Sequence, residues 1–223
     1  MKIYLDTGNV DEINEAASLG ILDGVTTNPT LIMKEGKDFM KEIKEIISIF
    51  KKNKIDDFTV SAEVTKTDSA KDMIIQGRKF AKIDKHILVK VPLTLEGLKA
   101  VKVLSNEKIK CNVTLCFSAN QALLAAKAGA WCVSPFLGRL DDVGENGLHL
   151  VHEIRTIFDN YDMDCRILSA SIRSAEHVKN CAMIGSDIVT IPLKVYKKMF
   201  EHNLTDVGLE KFKKDWEEYL HRV

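Results

Sequence analysis

The residue that most clearly suggests catalytic chemistry is a lysine inside an otherwise apolar run, ILVKVP at residues 87–92. The alternation of side chains along a β-strand places Lys90 and Leu88 on the same face. Where protein covers that face, desolvation disfavours the ammonium and favours the neutral amine, the form that attacks a carbonyl carbon. The run therefore indicates Schiff-base chemistry. The alternative is a lysine whose ammonium reaches solvent from the strand end or pairs with a carboxylate.

Two carboxylates, Asp6 and Glu63, fall toward the ends of the first and third predicted strands. A Schiff-base reaction needs proton transfers at the carbinolamine and at the hydroxyl beside the broken bond, and carboxylates near a cationic nitrogen can carry them. Each carboxylate could alternatively be a salt-bridge partner or a helix cap. Capping is a real rival for Asp6, which precedes a predicted helix by only a few residues.

Further polar side chains gather near predicted strand ends and suggest where a substrate would be held. They are Thr26, Thr27, Asn28, Asn112, Thr114, Arg139, Ser171 and Arg173. Of these, Arg139, Ser171 and Arg173 could together bind a phosphate through charge-assisted hydrogen bonds. Either arginine taken singly could instead form a surface ion pair. The nearby carboxylates are Asp141, Asp142 and Glu176.

The elements that position these residues are short β-branched runs alternating with helical patterns, which is typical of parallel βαβ units. The predicted strands span residues 3–6, 25–28, 58–64, 87–92, 110–114, 131–135, 166–170 and 188–191. The helices between them are amphipathic. One apolar stripe consists of Phe39, Ile43, Ile46, Ile47 and Phe50. Asn9 (with Glu12 three positions later) and Ser174 are the predicted N-caps of two helices.

Eight strands that alternate with helices predict a single α/β domain over residues 1–223, a (β/α)8 TIM barrel whose active site lies at the carboxyl ends of the strands. A doubly wound sheet is the alternative. The turn after the first strand reads DTGN and lacks the G-x-G-x-x-G pattern of dinucleotide-binding folds. An additional helix is predicted at residues 209–220, with Phe212, Trp216 and Leu220 on one face for packing on the barrel or on a neighbouring subunit.

Composition limits the classes of function. The 223 residues are 45% hydrophobic, and 32 Lys and Arg balance 32 Asp and Glu, so no global field favours nucleic acid or an anionic membrane. No run is long and apolar enough for a membrane span, and we expect a cytoplasmic protein. The five cysteines lack CxxC spacing and are interpreted as reduced core residues, and the six histidines show no pattern typical of a metal site.

The motifs that carry these residues resemble, over the full length of the chain, the transaldolase family and its short subfamily that also contains the fructose-6-phosphate aldolases. They are YLDTGN at 4–9, GVTTNPTLI at 24–32, SAEV at 61–64, LVKVPLT at 88–94, CNVTLCFSANQALLAAKAGA at 111–130, VSPFLGRLDD at 133–142 and SASIRS at 169–174.

The resemblance implies a role for each matched residue. Lys90 would form the Schiff base, Asp6 would act as acid and base on the substrate hydroxyl, and Glu63 with Thr114 would hold the catalytic water. The implied substrate-binding residues are Asn28, Asn112, Phe136, Arg139, Ser171 and Arg173, with Thr26 and Ser134 as pocket lining. Neither a cofactor nor a metal is implied. The partners implied are sugar phosphates and further copies of the chain, in a pentamer or decamer.

The implied reaction is the transfer of a dihydroxyacetone unit from a ketose phosphate, sedoheptulose 7-phosphate or fructose 6-phosphate, to an aldose phosphate in the non-oxidative pentose phosphate pathway. The aldolase members instead release free dihydroxyacetone and glyceraldehyde 3-phosphate. In those members, Gln and Tyr look to occupy the positions that Glu63 and Phe136 hold in this chain. The resemblance therefore favours the transferase. A sugar-phosphate sensor without catalysis is the alternative from another class, and it would require the loss of a catalytic residue.

Overall fold

The computed structural model describes residues 1–36 and 38–222, with the side chain of residue 34 also outside the description. This part of the chain forms eight strands and eleven helices. The strands are β1 (Lys2–Asp6), β2 (Gly24–Thr26), β3 (Thr59–Glu63), β4 (Ile87–Pro92), β5 (Cys111–Cys116), β6 (Cys132–Pro135), β7 (Arg166–Ser169) and β8 (Ile188–Ile191). The helices are α1 (Val10–Ala17), α2 (Pro29–Glu35), α3 (Phe39–Lys52), α4 (Ala70–Ala81), α5 (Leu95–Asn106), α6 (Ala119–Ala128), α7 (Leu137–Asp141), α8 (Gly147–Asn160), α9 (Ala175–Ile184), α10 (Leu193–Lys198) and α11 (Asn203–Leu220).

The eight strands pair in sequence order, all parallel, and β8 pairs with β1 to close the barrel. The predicted TIM barrel is therefore confirmed, and the doubly wound sheet is wrong. The register across β3, β4 and β5 sets Glu63 beside Lys90 and Lys90 beside Asn112. Since parallel strands of a barrel present their carboxyl ends at one rim, this pairing brings distant polar residues to the same end.

The hydrophobic core has two parts, on either side of the barrel wall. The larger part lies between the strands and the surrounding helices and includes the predicted stripe of α3, of which Ile43, Ile46 and Phe50 are fully buried. The smaller part fills the inside of the barrel, where Tyr4, Leu88, Cys132, Leu168, Ala170 and Ile188 form one cluster. The five cysteines are buried and not disulfide-bonded, as the sequence predicted.

Two helix starts agree with the sequence analysis, and one strand end differs from it. Asn9 accepts from the backbone N–H groups of residues 11 and 12 and caps α1, and Ser174 caps α9. The predicted strand over residues 25–28 ends at Thr26, however, because Asn28 is the N-cap of α2 and Pro29 is its first residue. Proline fixes the backbone in a conformation that suits a first helical turn and cannot continue a strand ladder.

The last helix, α11, begins six residues before its predicted start and does not pack on the barrel. All of its residues are described and none is buried. Phe212 is 69% exposed and Trp216 is 60% exposed. The prediction that this apolar face packs on the barrel is therefore wrong, and packing on a neighbouring subunit stays a prediction. Among the described residues, no helix combines the length and the apolar character needed to cross a membrane.

Asp84 is an anchoring carboxylate at the amino end of β4. Its Oδ2 accepts from Lys51 Nζ at 2.6 Å, and its Oδ1 accepts from the backbone N–H of His86 at 3.1 Å and lies 2.6 Å from His86 Nδ1. Burial alone would raise the pKa of Asp84, but these hydrogen bonds outweigh burial and lower the pKa to about 2. The His86 ring stacks on Phe58 with 4.0 Å between centroids, so this pair belongs to the scaffold.

We expect Asp84→Asn to lower the free energy of unfolding at pH 7 by up to about 2 kcal/mol. A carboxyl whose pKa is lower in the folded than in the unfolded state stabilises the fold above pH 4, and this contribution disappears as pH falls toward 2. Urea unfolding at pH 7 and at pH 3 measures the difference between wild type and variant, which should shrink at pH 3. Asp57→Asn is the control, because Asp57 pairs with Lys2 at 89% side-chain exposure and should contribute little.

Candidate active site

Lys90 lies in the middle of β4 with 5% of its surface exposed. Its Nζ is 3.0 Å from Glu63 Oε2 and donates to the carbonyl oxygen of Thr27 at 3.1 Å. The alternative of an ammonium that reaches bulk solvent is therefore wrong, whereas the ion-pair alternative holds. Because Lys90 also lines a cavity, its amine is both paired and accessible to a small molecule.

The cavity opens at the carboxyl ends of the strands and has a volume of about 450 Å³. Nine of the residues selected from the sequence line it: Asp6, Thr26, Asn28, Lys90, Ser134, Phe136, Arg139, Ser171 and Arg173. A second hollow of about 360 Å³ shares Asn28, Lys90, Phe136 and Arg139 with the first and adds Glu63 and Thr114. The two hollows meet at Lys90, so one amine serves both.

Asp6 ends β1 on the cavity side of Lys90. Its Oδ1 accepts from Thr26 Oγ1 at 2.8 Å. Burial raises the pKa of the Asp6 carboxyl, and the charge of Lys90 and the hydrogen bond from Thr26 only partly oppose that rise. The capping alternative is wrong, since Asn9 caps α1. A partly buried carboxylate with a raised pKa beside an amine has the properties of a general base.

Glu63 and Thr114 approach Lys90 from the neighbouring strands. The Glu63 side chain is 14% exposed, and its Oε2 is the oxygen that contacts the amine. The Thr114 hydroxyl is buried and has no hydrogen-bond partner within the described residues. A buried hydroxyl without a partner is unfavourable, so this group is suited to bind a water or a substrate oxygen.

Thr27 and Asn112 are the two selected residues that line neither hollow. Thr27 is fully buried, its hydroxyl donates to the Ser61 carbonyl at 2.8 Å, and its own carbonyl accepts from Lys90. Asn112 is fully buried beside Lys90, where its Nδ2 donates to Ser61 Oγ at 3.2 Å and its Oδ1 accepts from Ser134 Oγ at 2.7 Å. These hydrogen bonds link β3, β5 and β6 across the barrel interior. Asn112 thus belongs to a buried hydrogen-bond network beside the Lys90 amine, and Ser134 connects this network to the cavity.

Arg139, Ser171 and Arg173 lie together at the outer part of the cavity. The Ser171 carbonyl accepts from the backbone N–H of Gly138 at 3.0 Å, with Ser171 itself at φ 58°. A Cβ at Gly138 would clash with the Ser171 carbonyl and with the Arg173 guanidinium, so only glycine permits this close approach. Two adjacent guanidinium groups and a hydroxyl suit a phosphate.

The two arginines differ in their pairing. Arg173 Nη2 is 2.7 Å from Asp142 Oδ2, which is one of the surface pairs that the sequence left open. Arg139 is exposed at the cavity and forms no ion pair in the described part of the chain. Two features of Asn28 and Phe136 complete the wall. Asn28 uses its side-chain oxygen to cap α2, which leaves its amide hydrogens for a ligand, and Phe136 packs edge-on against Phe117 at 5.8 Å.

Two polar residues of the first cavity were missed by the sequence analysis. Lys194 lies in the first turn of α10, is exposed, and lines the cavity with no ion pair among the described residues. Thr190 lies on β8 with 2% exposure and also lines the cavity. A signal for Lys194 existed, since it follows the last strand as Arg139 and Arg173 follow theirs. In the described ranges, no group of three or more His, Cys, Asp or Glu could hold a metal ion.

Comparison with known proteins relates this site to a family. A family model described as Transaldolase/Fructose-6-phosphate aldolase matches residues 3–223. A probable transaldolase of Thermoanaerobacter sp. (strain X514) is 56% identical over 216 residues, covering 97% of each chain. A probable transaldolase of Methanococcus maripaludis is 53% identical over 222 residues, covering 100% of each chain.

Solved structures with low sequence identity share the fold alone. A thiamine phosphate pyrophosphorylase from Pyrococcus furiosus superposes with a TM-score of 0.57 at 15% identity, over 86% of this chain and 85% of that one. A mutant flavocytochrome b2 gives 0.59 at 13% identity, over 86% of this chain and 56% of that one. These likenesses support the barrel, whereas the site must be interpreted from its own residues.

Proposed function

This chain belongs to the transaldolase/fructose-6-phosphate aldolase family, and from that premise we propose that it is a transaldolase acting through a Schiff base on Lys90. The substrate would be a ketose phosphate, sedoheptulose 7-phosphate or fructose 6-phosphate, and the acceptor an aldose phosphate. The observation that carries the proposal is the buried Lys90 amine, 3.0 Å from a carboxylate and open to a cavity with a cationic rim. No cofactor enters the proposed reaction.

In the first step, the neutral Lys90 amine attacks the ketose carbonyl carbon and forms a carbinolamine. The amine becomes neutral when the Lys90 ammonium gives a proton to Glu63, through a water held with Thr114. Glu63 then returns this proton to the carbinolamine hydroxyl, which leaves as water. The product is an iminium on Lys90. Its positive charge lies next to the Glu63 carboxylate, which stabilises it electrostatically.

In the second step, Asp6 takes the proton of the hydroxyl on the carbon beyond the bond to be broken. The electrons of that carbon–carbon bond flow to the iminium, which gives an enamine on Lys90 and releases an aldose phosphate. An acceptor aldehyde then binds in its place, and the reverse steps form the new bond. Hydrolysis of the second iminium restores the amine, so protons and electrons balance over the cycle.

The choice between transfer and release rests on Glu63 and Phe136. A tyrosine at position 136 would bring a hydroxyl that protonates the enamine, which would leave as free dihydroxyacetone. Phenylalanine has no proton to give, so the enamine persists until an aldose arrives. Phe136 lines both hollows at Lys90, which supports its proximity to the intermediate.

The experiment supplies fructose 6-phosphate with and without erythrose 4-phosphate and measures sedoheptulose 7-phosphate and dihydroxyacetone separately. We expect sedoheptulose 7-phosphate with acceptor and little dihydroxyacetone without it. Release of dihydroxyacetone at a comparable rate without acceptor would make the protein an aldolase and refute the argument from Glu63 and Phe136. Phe136→Tyr is the matched variant, and it should raise the rate of release without acceptor.

The phosphate is proposed to lie at the outer cavity, among Arg139, Ser171, Arg173 and Lys194. Arg173 is already balanced by Asp142, so Arg139 and Lys194 supply the uncompensated positive charge. A phosphate dianion carries nearly two negative charges, which two such cations match.

Replacement of Lys194 by Met is expected to raise KM for fructose 6-phosphate about tenfold, the effect of one lost hydrogen bond to a charged group. The rate at saturation should change little, because Lys194 holds the phosphate and not the reacting atoms. Lys198→Met is the control, since Lys198 lies on the same helix and pairs with Glu201 away from the cavity. An unchanged KM for the Lys194 variant would exclude this residue from the phosphate site.

We further propose that copies of the chain assemble through the exposed apolar face of α11, in a pentamer or decamer. This face contains Phe212, Trp216 and Leu220, all exposed, on a helix that has no buried residue. Exposed apolar side chains grouped in this way are typical of a protein interface. Trp216→Glu is expected to lower the molar mass in solution, measured by light scattering. Tyr161→Glu, at an aromatic side chain that is 72% exposed directly after α8, should leave the mass unchanged. Equal masses for wild type and the Trp216 variant would contradict the interface.

The remaining proposals concern organisation and setting. We propose that residues 1–223 form one domain, which should unfold in a single cooperative transition. The balanced charge supports a protein that binds neither nucleic acid nor membrane and acts in the cytoplasm. Cell fractionation with an antibody against the chain, together with gel-shift measurements on DNA and RNA, would test these points.

A further inference from the structure

Two threonine hydroxyls, one on each strand that flanks β1, form a chain of contacts with Asp6 inside the barrel. Thr26 Oγ1 lies 2.8 Å from Asp6 Oδ1 and 2.6 Å from Thr190 Oγ1. Thr26 and Thr190 are both 2% exposed, and they belong to β2 and β8, the two strands that flank β1. The three oxygen atoms therefore form one short chain of contacts along the cavity wall.

The number of hydrogen atoms determines the direction of this chain. A threonine hydroxyl has one hydrogen to donate and lone pairs that accept. When Asp6 is ionised, the carboxylate only accepts, so the Thr26 hydrogen must point to Asp6. The contact of 2.6 Å between the two threonines then needs the hydrogen of Thr190, since two hydroxyl oxygens without one between them would repel. The order is therefore Thr190 to Thr26 to Asp6.

We propose that Thr190 is a positioning residue, which holds the Thr26 hydroxyl hydrogen on the Asp6 carboxylate and so prepares Asp6 to accept a proton from the substrate. This inference rests on the proposed function, because it concerns the base of that reaction. Thr190 acts through Thr26 and needs no contact with the reacting atoms.

The same chain accommodates the other protonation state. After Asp6 has taken a proton, it can donate to Thr26, whose own hydrogen turns to Thr190, while the Thr190 hydrogen turns into the cavity that this residue lines. Only hydroxyl rotations are involved, and each threonine keeps its own hydrogen. A partly buried carboxyl that carries its proton on Oδ1 can thus keep a hydrogen-bond partner in both charge states.

Other charged groups also act on Asp6 and must be kept constant in a test. Lys90 faces Asp6 across the cavity and favours its charged form, with Glu63 on the other side of the Lys90 amine. Arg139, Arg173 and Lys194 line the outer part of the same cavity. A substitution of Thr190 by valine retains the shape of the side chain and changes none of these charges.

The variant Thr190→Val should move the acidic limb of the pH profile of kcat/KM upward by about half a pH unit, as expected when a hydrogen bond that supports a charged acceptor is weakened. At a pH below that limb, kcat/KM should fall about threefold. Thr190→Ser restores the hydroxyl and should return the profile to that of wild type. A Thr190→Val profile that coincides with that of wild type, in a folded protein, would overturn the proposal.

A double-mutant cycle separates positioning from a structural effect. Because Thr190 acts through Thr26, Thr190→Val should add almost no shift in a Thr26→Val background. Equal shifts in both backgrounds would mean that Thr190 acts by another route and would overturn the proposal. Thr59→Val is the matched control, since Thr59 is another threonine of the barrel but donates to Tyr4 at 2.8 Å, and its variant should leave the profile unchanged.

A measurement without substrate makes the two proposals independent of each other. The titration of Asp6 can be followed by ¹³C NMR of the labelled carboxyl group in the intact protein. We expect the midpoint to rise in Thr190→Val even if no sugar phosphate is turned over by any form of the enzyme. Failure of turnover in the wild type would then refute the proposed function, whereas an unmoved Asp6 midpoint would refute the role of Thr190.

Discussion

Replacement of Lys90 by Met should abolish turnover, with a loss on the order of 10⁵-fold or more, as for the nucleophile of other enzymes that act covalently. Methionine has nearly the length of lysine and suits a site that is 5% exposed, but it has no nitrogen that can form an iminium. Without the iminium, the carbon–carbon bond has no electron sink. Sugar phosphate should still bind, because the cations of the outer cavity remain.

Trapping of the iminium with borohydride shows whether Lys90→Met loses turnover because it cannot form the covalent intermediate. Borohydride reduces an iminium to a stable amine, so wild type incubated with fructose 6-phosphate should acquire a covalent adduct at Lys90, detected by peptide mass spectrometry. The Lys90→Met variant should acquire none. Lys110→Met is the control, since Lys110 precedes β5 at the other end of the barrel, beside Trp131. An adduct at another lysine with full turnover in the variant would refute the mechanism.

The ion pair of Lys90 demands a second control. Its removal leaves the Glu63 carboxylate, 14% exposed, without the partner at 3.0 Å, and a buried charge without its partner destabilises a fold. The double variant Lys90→Met with Glu63→Gln removes both charges and should recover stability without activity. If wild type also proves inactive on every sugar phosphate while binding them, the protein is a sensor.

The fold was largely predictable because the barrel repeats one simple pattern. Each strand is a short apolar run, and the helix that follows it has an apolar stripe on one face, such as that of α3. Strand ends were harder, since β2 stops at Thr26 through the combined effect of the Asn28 cap and Pro29. Alternation cannot reveal that boundary, because Thr27 and Asn28 would also fit a strand.

The site was predictable to the extent that it follows strand ends. Lys90, Asp6 and Glu63 stood out because charged groups in apolar strands require an explanation. The contact of Thr26 with Thr190 did not stand out, since the two residues lie 164 positions apart. They meet only because the barrel closes and so brings β2 and β8 to either side of β1. The pairing of Arg173 with Asp142 was one of several possibilities that only side-chain packing could decide.

Asp6 illustrates how function opposes stability at this site. Burial raises the pKa of its carboxyl above the value of an exposed aspartate. Between the unfolded and the folded pKa, the folded state binds more protons, so the free energy of unfolding falls as pH rises through that interval. A charged Asp6 is therefore retained at neutral pH at the expense of stability, as expected of a group that the reaction needs.

Asp6→Asn should lower kcat by about 10²- to 10⁴-fold, which is the usual contribution of a general base. An amide cannot accept the proton of the substrate hydroxyl, so cleavage stops while formation of the iminium on Lys90 continues. Borohydride should therefore trap an adduct of the whole ketose phosphate, whereas a competent enzyme also yields the three-carbon adduct. The residual activity should no longer decline at acidic pH through titration of Asp6.

Stability provides the second readout for the same variant. Because a neutral amide is easier to bury than a carboxylate, Asp6→Asn should unfold at a higher temperature than wild type at pH 7. Asp11→Asn is the control, since Asp11 is exposed in the first turn of α1 and should retain wild-type activity. An inactive Asp6 variant that melts earlier and traps no adduct would indicate a damaged fold, and one with wild-type turnover would remove Asp6 from the mechanism. The predicted combination, a more stable protein that holds its substrate covalently and cannot cleave it, would assign the proton transfer to this carboxylate.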